Sequence, residues 1–227
     1  MEANLEKSIN ACLLNAERLI GEAQLLEFEK PTSSRFYFAI ISQEESAKSF
    51  LLYLVKVKII PWNKFLLRAI NNHICKQLVG IIIDYLSPNF DNFIAWSNEL
   101  SFNNDISSVP NKIYDAIEIL RYEKIQRWES KNWIWAEDPE YDSEAKKISN
   151  GHLDDLKQSA LYVNINKNAS IISTPNIITK EMAQEEFDRA KRFLSFGREI
   201  TKNGVKHFRN YEEIQEAFRK LFNARPT

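Results

Sequence analysis

Cysteine is almost absent from this 227-residue chain, with Cys12 and Cys75 the only two. Both fall inside helical patterns and they form no CxxC pair, which excludes a disulfide framework and a cysteine-based zinc site and reads each as a buried thiol. Glycine is scarce as well, at five residues, so little interrupts the periodicity. Long hydrophobic runs are missing: VGIIIDYL, from Val79 to Leu86, is broken by Asp84 well short of the roughly 20 apolar residues a bilayer span needs. The opening MEANLEKSINACLLNAERLI carries acidic residues where a secretory signal needs a basic start. The expectation is a cytoplasmic protein with no membrane contact. Histidine is rare too, with three in the chain, so each can be weighed separately.

What the chain has is helical pattern. A hydrophobic content of 44% suffices for a full core, and no internal repeat divides residues 1–227, which read as a single domain. Ile9, Leu13, Ala16, Ile20, Ala23 and Leu26 recur at spacings of three and four, predicting a first helix that ends near Lys30-Pro31. A second runs from about Ser33 to Lys58, capped by Thr32 or Ser33 and closed before Pro61. A third covers about Asn63 to Leu86 and stops at Ser87-Pro88. FDNFIAWSNEL suggests a short helix, and NELSFNNDISSVPN a loop. A helix from Pro110 to about Trp128 follows, then an exposed element carrying Trp133 and Trp135. ALYVNI, from Ala160 to Ile165, is the one strongly extended stretch, with a hairpin or loop up to Pro175. Thr179 caps a further helix, and a last one spans Tyr211 to Phe222. The fold class is all-α, a helical bundle with a short extended or hairpin insertion near 160–175.

Net charge is −1 overall, yet from Arg189 to the C-terminus ten basic residues face four acidic ones. Such a basic helical tail is able to follow a phosphate backbone, although a solvated helix surface is the simpler reading.

Two helices carry polar groups in unexpected places. On the second, Glu45 and Lys48 share the side of Phe38, Ile41, Leu52 and Val55 and interrupt an apolar stripe, which points to a paired internal site. The alternative is a surface pair between Glu44 and Lys48, four residues apart in the favoured order. On the third, RAINNHICK places Arg68, His73 and Lys76 together; on a continuous helix His73 and Lys76 stand about 60° apart and Arg68 about 140° from His73, so all three can border one groove. His152 reads as a polar-loop residue and His207 as part of the basic tail.

LLNAERLIGEAQLL, FYFAIISQEESAKSFLL, HICK, LKQSALYVNINK and TPNIITKEMAQEEFDRA, in this order and spacing, resemble the AbiV family of abortive-infection proteins in the HEPN superfamily. The likeness runs from about Asn10 to Phe196. It implies a helical bundle, commonly dimeric, used in phage defence. Many HEPN proteins are metal-independent RNA endonucleases with an arginine, a short spacer and a histidine, and Arg68 and His73 match with four residues between them. Ala69 departs from the polar residue that often follows the arginine in active members. The resemblance therefore implies RNA as a partner, with a homodimer and a phage-encoded trigger or an antitoxin beyond it, and neither a metal nor another cofactor. The chemistry fits independently: the RNA 2′-hydroxyl is a built-in nucleophile, a histidine titrating near neutrality moves its proton, and arginine's planar fork holds the phosphate. His73 is the expected acid or base, Arg68 the phosphate clamp and Lys76 a supporting cation, with Glu45 and Lys48 orienting or balancing the site. The rival reading is a non-catalytic interaction module that holds a phage or host protein, with Trp133 and Trp135 as anchors.

Overall fold

The computed structural model describes residues 2–30, 32–87, 110–126, 140–204 and 211–223. The expected short helix at FDNFIAWSNEL, the Asn- and Ser-rich loop after it, Trp133, Trp135 and His207 lie outside the described residues. Among those described, the chain is a helical bundle with one small antiparallel hairpin.

Helix α1 (Glu2–Leu25) and helix α2 (Ser33–Lys56) pack antiparallel, as the bond from Ser42 Oγ to the Ala16 carbonyl and the pair Lys56–Glu6 show. The α1 stripe is the one its periodicity predicts: Ile9, Leu13, Ala16, Ile20 and Ala23 are all buried. Thr32 occupies the cap position of α2, but its hydroxyl donates to the Ile178 carbonyl instead of capping. α2 is the central element, buried on more than one face because apolar residues occupy more than one stripe. It ends with Lys58 in left-handed geometry at φ 60°.

The third predicted helix is two. Helix α3 (Lys64–Asn71) stops at Asn72, whose extended φ and ψ of −98° and 127° break the rod, and helix α4 (His73–Leu86) starts there. Asn72 makes the break stable: its side-chain oxygen accepts from the Cys75 backbone N–H and caps α4. The Arg68–His73 angle of a continuous helix therefore does not apply, and Leu67 on α3 is exposed.

Helix α5 (Asn111–Glu118) continues as a π-helical segment, Ile119–Gln126. Two short helices follow where the sequence reads as a surface element and polar loop: α6 (Ser143–Ser149), capped by the Asp142 carboxylate, and α7 (His152–Ser159). His152 is thus the first residue of a helix, and it is exposed. The extended stretch is shorter than expected. Ala160 still belongs to the end of α7, and the hairpin proper is β1 (Asn164–Ile165) paired with β2 (Ile171–Ser173).

Helix α8 (Lys180–Asn203) starts at the predicted cap, with Thr179 Oγ1 accepting from the Met182 N–H. It runs beside α2, where Phe196 meets Phe50 edge-on at 5.5 Å, and against α1, where Gly197 allows Leu13 to approach so closely that a Cβ would lie 2.7 Å from it. Helix α9 (Tyr211–Asn223) closes the core with Phe218 packed on Phe50. The segment from Arg189 is consequently no separate tail at its start. Arg189 and Arg192 reach Asp84 at 2.5 and 3.1 Å, and Arg198 reaches Glu17 at 2.6 Å, so several of its cations already have carboxylate partners.

Candidate functional site

The site forms where α2, α4 and α7 meet, and its hub is Glu44. The side chain is only 2% exposed and holds four partners: His73 Nδ1 at 2.5 Å, Lys76 Nζ at 3.0 Å, Lys157 Nζ at 2.9 Å and Gln77 Nε2 at 3.1 Å. Lys157 is equally buried and also lies 2.5 Å from Asp154. Burial alone would push the Glu44 carboxyl up. The ammoniums of Lys76 and Lys157, with the hydrogen bonds from His73 and Lys157, together outweigh it and hold the carboxyl below the usual carboxylate range. A carboxylate can only accept, so His73 Nδ1 is the donor and carries its proton. The ring is half-exposed, with Nε2 left as the nitrogen a substrate can meet.

Local structure explains these positions. The break at Asn72 makes His73 the first residue of α4, and Lys76 and Gln77 follow one turn later on the side facing α2. Gly151, in left-handed geometry at φ 88°, ends α6 and reorients the chain so that α7 can deliver Asp154 and Lys157.

Of the residues singled out from sequence, His73 and Lys76 come together on Glu44. Lys76 is 7% exposed and its charge balances Glu44 instead of standing at the surface. Arg68 lies beyond the Asn72 break, half-buried in the last turn of α3, and is not among the four partners of Glu44. Glu45 and Lys48 pair with each other at 2.6 Å, as the internal-site reading proposed, but they are partly open at 15% and 27% and sit beside Cys12, not on His73. The alternative surface pair does not form, since Glu44 faces inward. Glu44 entered the sequence reading only as that surface pair, and Gln77, Asp154 and Lys157 escaped it altogether.

Glu44, His73 and Asp154 offer three ligand atoms within 4.8 Å of one another, enough in number for a metal. The charges oppose it. Each carboxylate already faces at least one ammonium, and two lysines within 3.0 Å of Glu44 would repel a divalent ion. The cluster suits proton transfer and anion chemistry better. A larger cleft between α5 and α9 is rimmed by Glu118, Glu212, Glu213 and Glu216, which disfavours a phosphate there. Both thiols are chemically quiet, with burial pushing Cys12 up to about 11, assisted by Glu45, and Cys75 up to about 12.

A family model described as HEPN_AbiV, AbiV, matches residues 4–195. No curated protein and no solved structure matches the chain.

Proposed function

The chain belongs to the AbiV family, whose members point to phage defence by abortive infection, and from that premise we propose that it acts as a metal-independent RNA endonuclease in the cytoplasm. The observation that carries the reading is the half-exposed His73 ring fixed through Nδ1 by a buried, ionised Glu44. A carboxylate on one ring nitrogen sets the tautomer and aims the other, an arrangement suited to a general base. His73 Nε2 takes the proton from a 2′-hydroxyl, the oxygen attacks the adjacent phosphorus, and the 5′-oxygen leaves with a proton returned to it, giving a 2′,3′-cyclic phosphate. Arg68 is the clamp for the phosphate charge. Lys76, Lys157 and Gln77 act through Glu44 as positioning residues. No helix among the described residues is long and apolar enough to cross a membrane.

The test is cleavage of RNA by purified protein in EDTA, with the ends mapped. Cleavage is expected to persist in the chelator and to leave cyclic phosphate ends. His73→Ala is expected to abolish it with folding intact, because a half-exposed ring adds little to packing, and Arg68→Lys to keep only part of it, since a point charge does not reproduce a two-pronged contact. Undiminished cleavage by folded His73→Ala would overturn the assignment. A folded wild type that cleaves no RNA yet still protects cells would replace it with the interaction-module reading.

A further inference from the structure

Among the described residues, two buried polar atoms beside the Glu44 cluster find no hydrogen-bond partner in the protein: Gln77 Oε1 and Arg189 Nε. Gln77 is only 6% exposed, so its oxygen has no bulk solvent to turn to. Its orientation is fixed as well. Gln77 Nε2 donates to Glu44 Oε1 at 3.1 Å, and because an ionised carboxylate only accepts, the amide cannot flip to offer its oxygen there. Oε1 is thereby a buried acceptor in need of a donor, a costly condition for any polar atom. Arg189 has the opposite need. Its Nη2 reaches Asp84 at 2.5 Å and its Nη1 lies 3.7 Å from Glu186, which leaves the Nε–H as a donor in need of an acceptor.

Both residues line one small cavity at the junction of α2, α4 and α8. It measures about 10 Å³, the space of a single water-sized sphere. Ile40, Leu153 and Phe193 give it apolar walls. Gln43 brings a second acceptor to the same space: its Nε2 is committed to the carboxylate and the carbonyl of Glu186, at 2.8 and 2.9 Å, so its Oε1 is the atom left over. Glu44 lines the cavity too but needs nothing from it, with donors from His73, Lys76, Lys157 and Gln77 already in place.

We infer that this cavity is the binding site of one water molecule, which accepts from Arg189 Nε and donates to Gln77 Oε1 and Gln43 Oε1. Three bonds are the usual complement of a buried water. The lining selects water over an ion. A cation would meet Arg189 and Lys76, whose charges repel it, and an anion would meet Glu44 and two amide oxygens. A ligand that accepts once and donates twice satisfies all three groups. The bound water joins the Asp84–Arg189 pair to the Glu44 cluster and brings α8 into the support of the hub: Arg189 holds the water, the water holds the Gln77 amide, and the amide holds Glu44. The inference concerns how Glu44 is held and does not depend on RNA cleavage.

The experiment is a crystal structure of the full chain at a resolution that shows ordered water, for the wild type and for Arg189→Lys. The lysine keeps a cation for Asp84 and lacks the Nε–H. The wild type is expected to show one peak at hydrogen-bond distance, about 2.7–3.2 Å, from Gln77 Oε1, Arg189 Nε and Gln43 Oε1. Arg189→Lys is expected to lose most of that peak while the Glu44 contacts stay. A wild type with no peak there, or with Gln77 Oε1 bonded directly to Arg189, overturns the inference, as does a peak that Arg189→Lys leaves unchanged. Should the variant not fold, the wild type answers alone in solution: NMR is expected to show cross-relaxation between water and the Arg189 Nε–H, with the sign of a molecule held for longer than the protein takes to tumble. A signal of rapidly exchanging water only, or none, also overturns it.

Discussion

Replacing Glu44 by Gln tests the hub directly, because the amide keeps the volume while it removes the charge and turns one of the two acceptor oxygens into an N–H donor. In the wild type the carboxylate answers two buried ammoniums, Lys76 at 7% and Lys157 at 2% exposure, and the His73 N–H. Lys157 retains Asp154 at 2.5 Å after the substitution, so Lys76 is the one cation left without its counter-charge. Stranding a single buried charge costs about 3–5 kcal/mol, a large share of the 5–15 kcal/mol that holds a typical domain together. Urea unfolding followed by circular dichroism measures it. Adding Lys76→Met to Glu44→Gln should recover part of the loss, because the stranded charge goes with it; the same Lys76→Met change in the wild type should destabilise.

The pH dependence carries a sign of its own. The folded Glu44 carboxyl is held below the ordinary glutamate range by the Lys76 and Lys157 ammoniums, so its stabilisation is fully present above that range and is lost as pH falls through the folded value. The gap between wild type and Glu44→Gln should accordingly be constant above about pH 5 and shrink in more acidic solution. A cost under about 1 kcal/mol, or a gap that widens on acidification, would refute a buried, ionised hub.

Lys48→Ala should cost under about 1 kcal/mol by denaturant unfolding, since the pair with Glu45 keeps 27% and 15% exposure and water takes over what the lysine gave. Lys58→Gly should raise stability by about 0.5–1 kcal/mol, because Lys58 holds φ 60° at the end of α2, where a Cβ is strained and glycine is not. A thiol reagent should label neither Cys12 nor Cys75 in native protein and both after unfolding, as counted by mass spectrometry; labelling at the native stage would contradict their burial.

The helices were legible where one stripe dominates. α1 buries the residues its three- and four-residue spacing selects, and α8 begins at the cap its threonine announces. The split between α3 and α4 was harder, because both halves carry apolar positions in helical phase and nothing forbids a continuous rod. Asn72 decides it by offering a side-chain acceptor to Cys75, a local competition between cap and backbone that pattern alone does not weigh. α7 was readable in principle, since Leu153, Leu156 and Ala160 recur at helical spacing behind Asp154 and Asp155, acidic residues of the kind that suit a first turn.

The site itself turned on a choice between two stripes of one helix. Phe38, Ile41, Glu45, Lys48, Leu52 and Val55 make one apolar line along α2, and Phe36, Ile40, Glu44, Ala47, Leu51 and Leu54 make another, each with a carboxylate in its middle. Helix geometry alone does not rank them, and the adjacent lysine made the first look like the internal pair and left Glu44 as its surface alternative. The structure ranks them by what else arrives. Opposite Glu45 stand Lys48 and a thiol, which leave the pair partly open. Opposite Glu44 stand two lysines, a glutamine and a histidine from other helices, one of them 113 residues away in sequence. A buried carboxylate is stable only when such partners converge on it, and convergence is a property of the fold that no single helix carries. That is why His73 was visible from its own segment while the group that orients it was not.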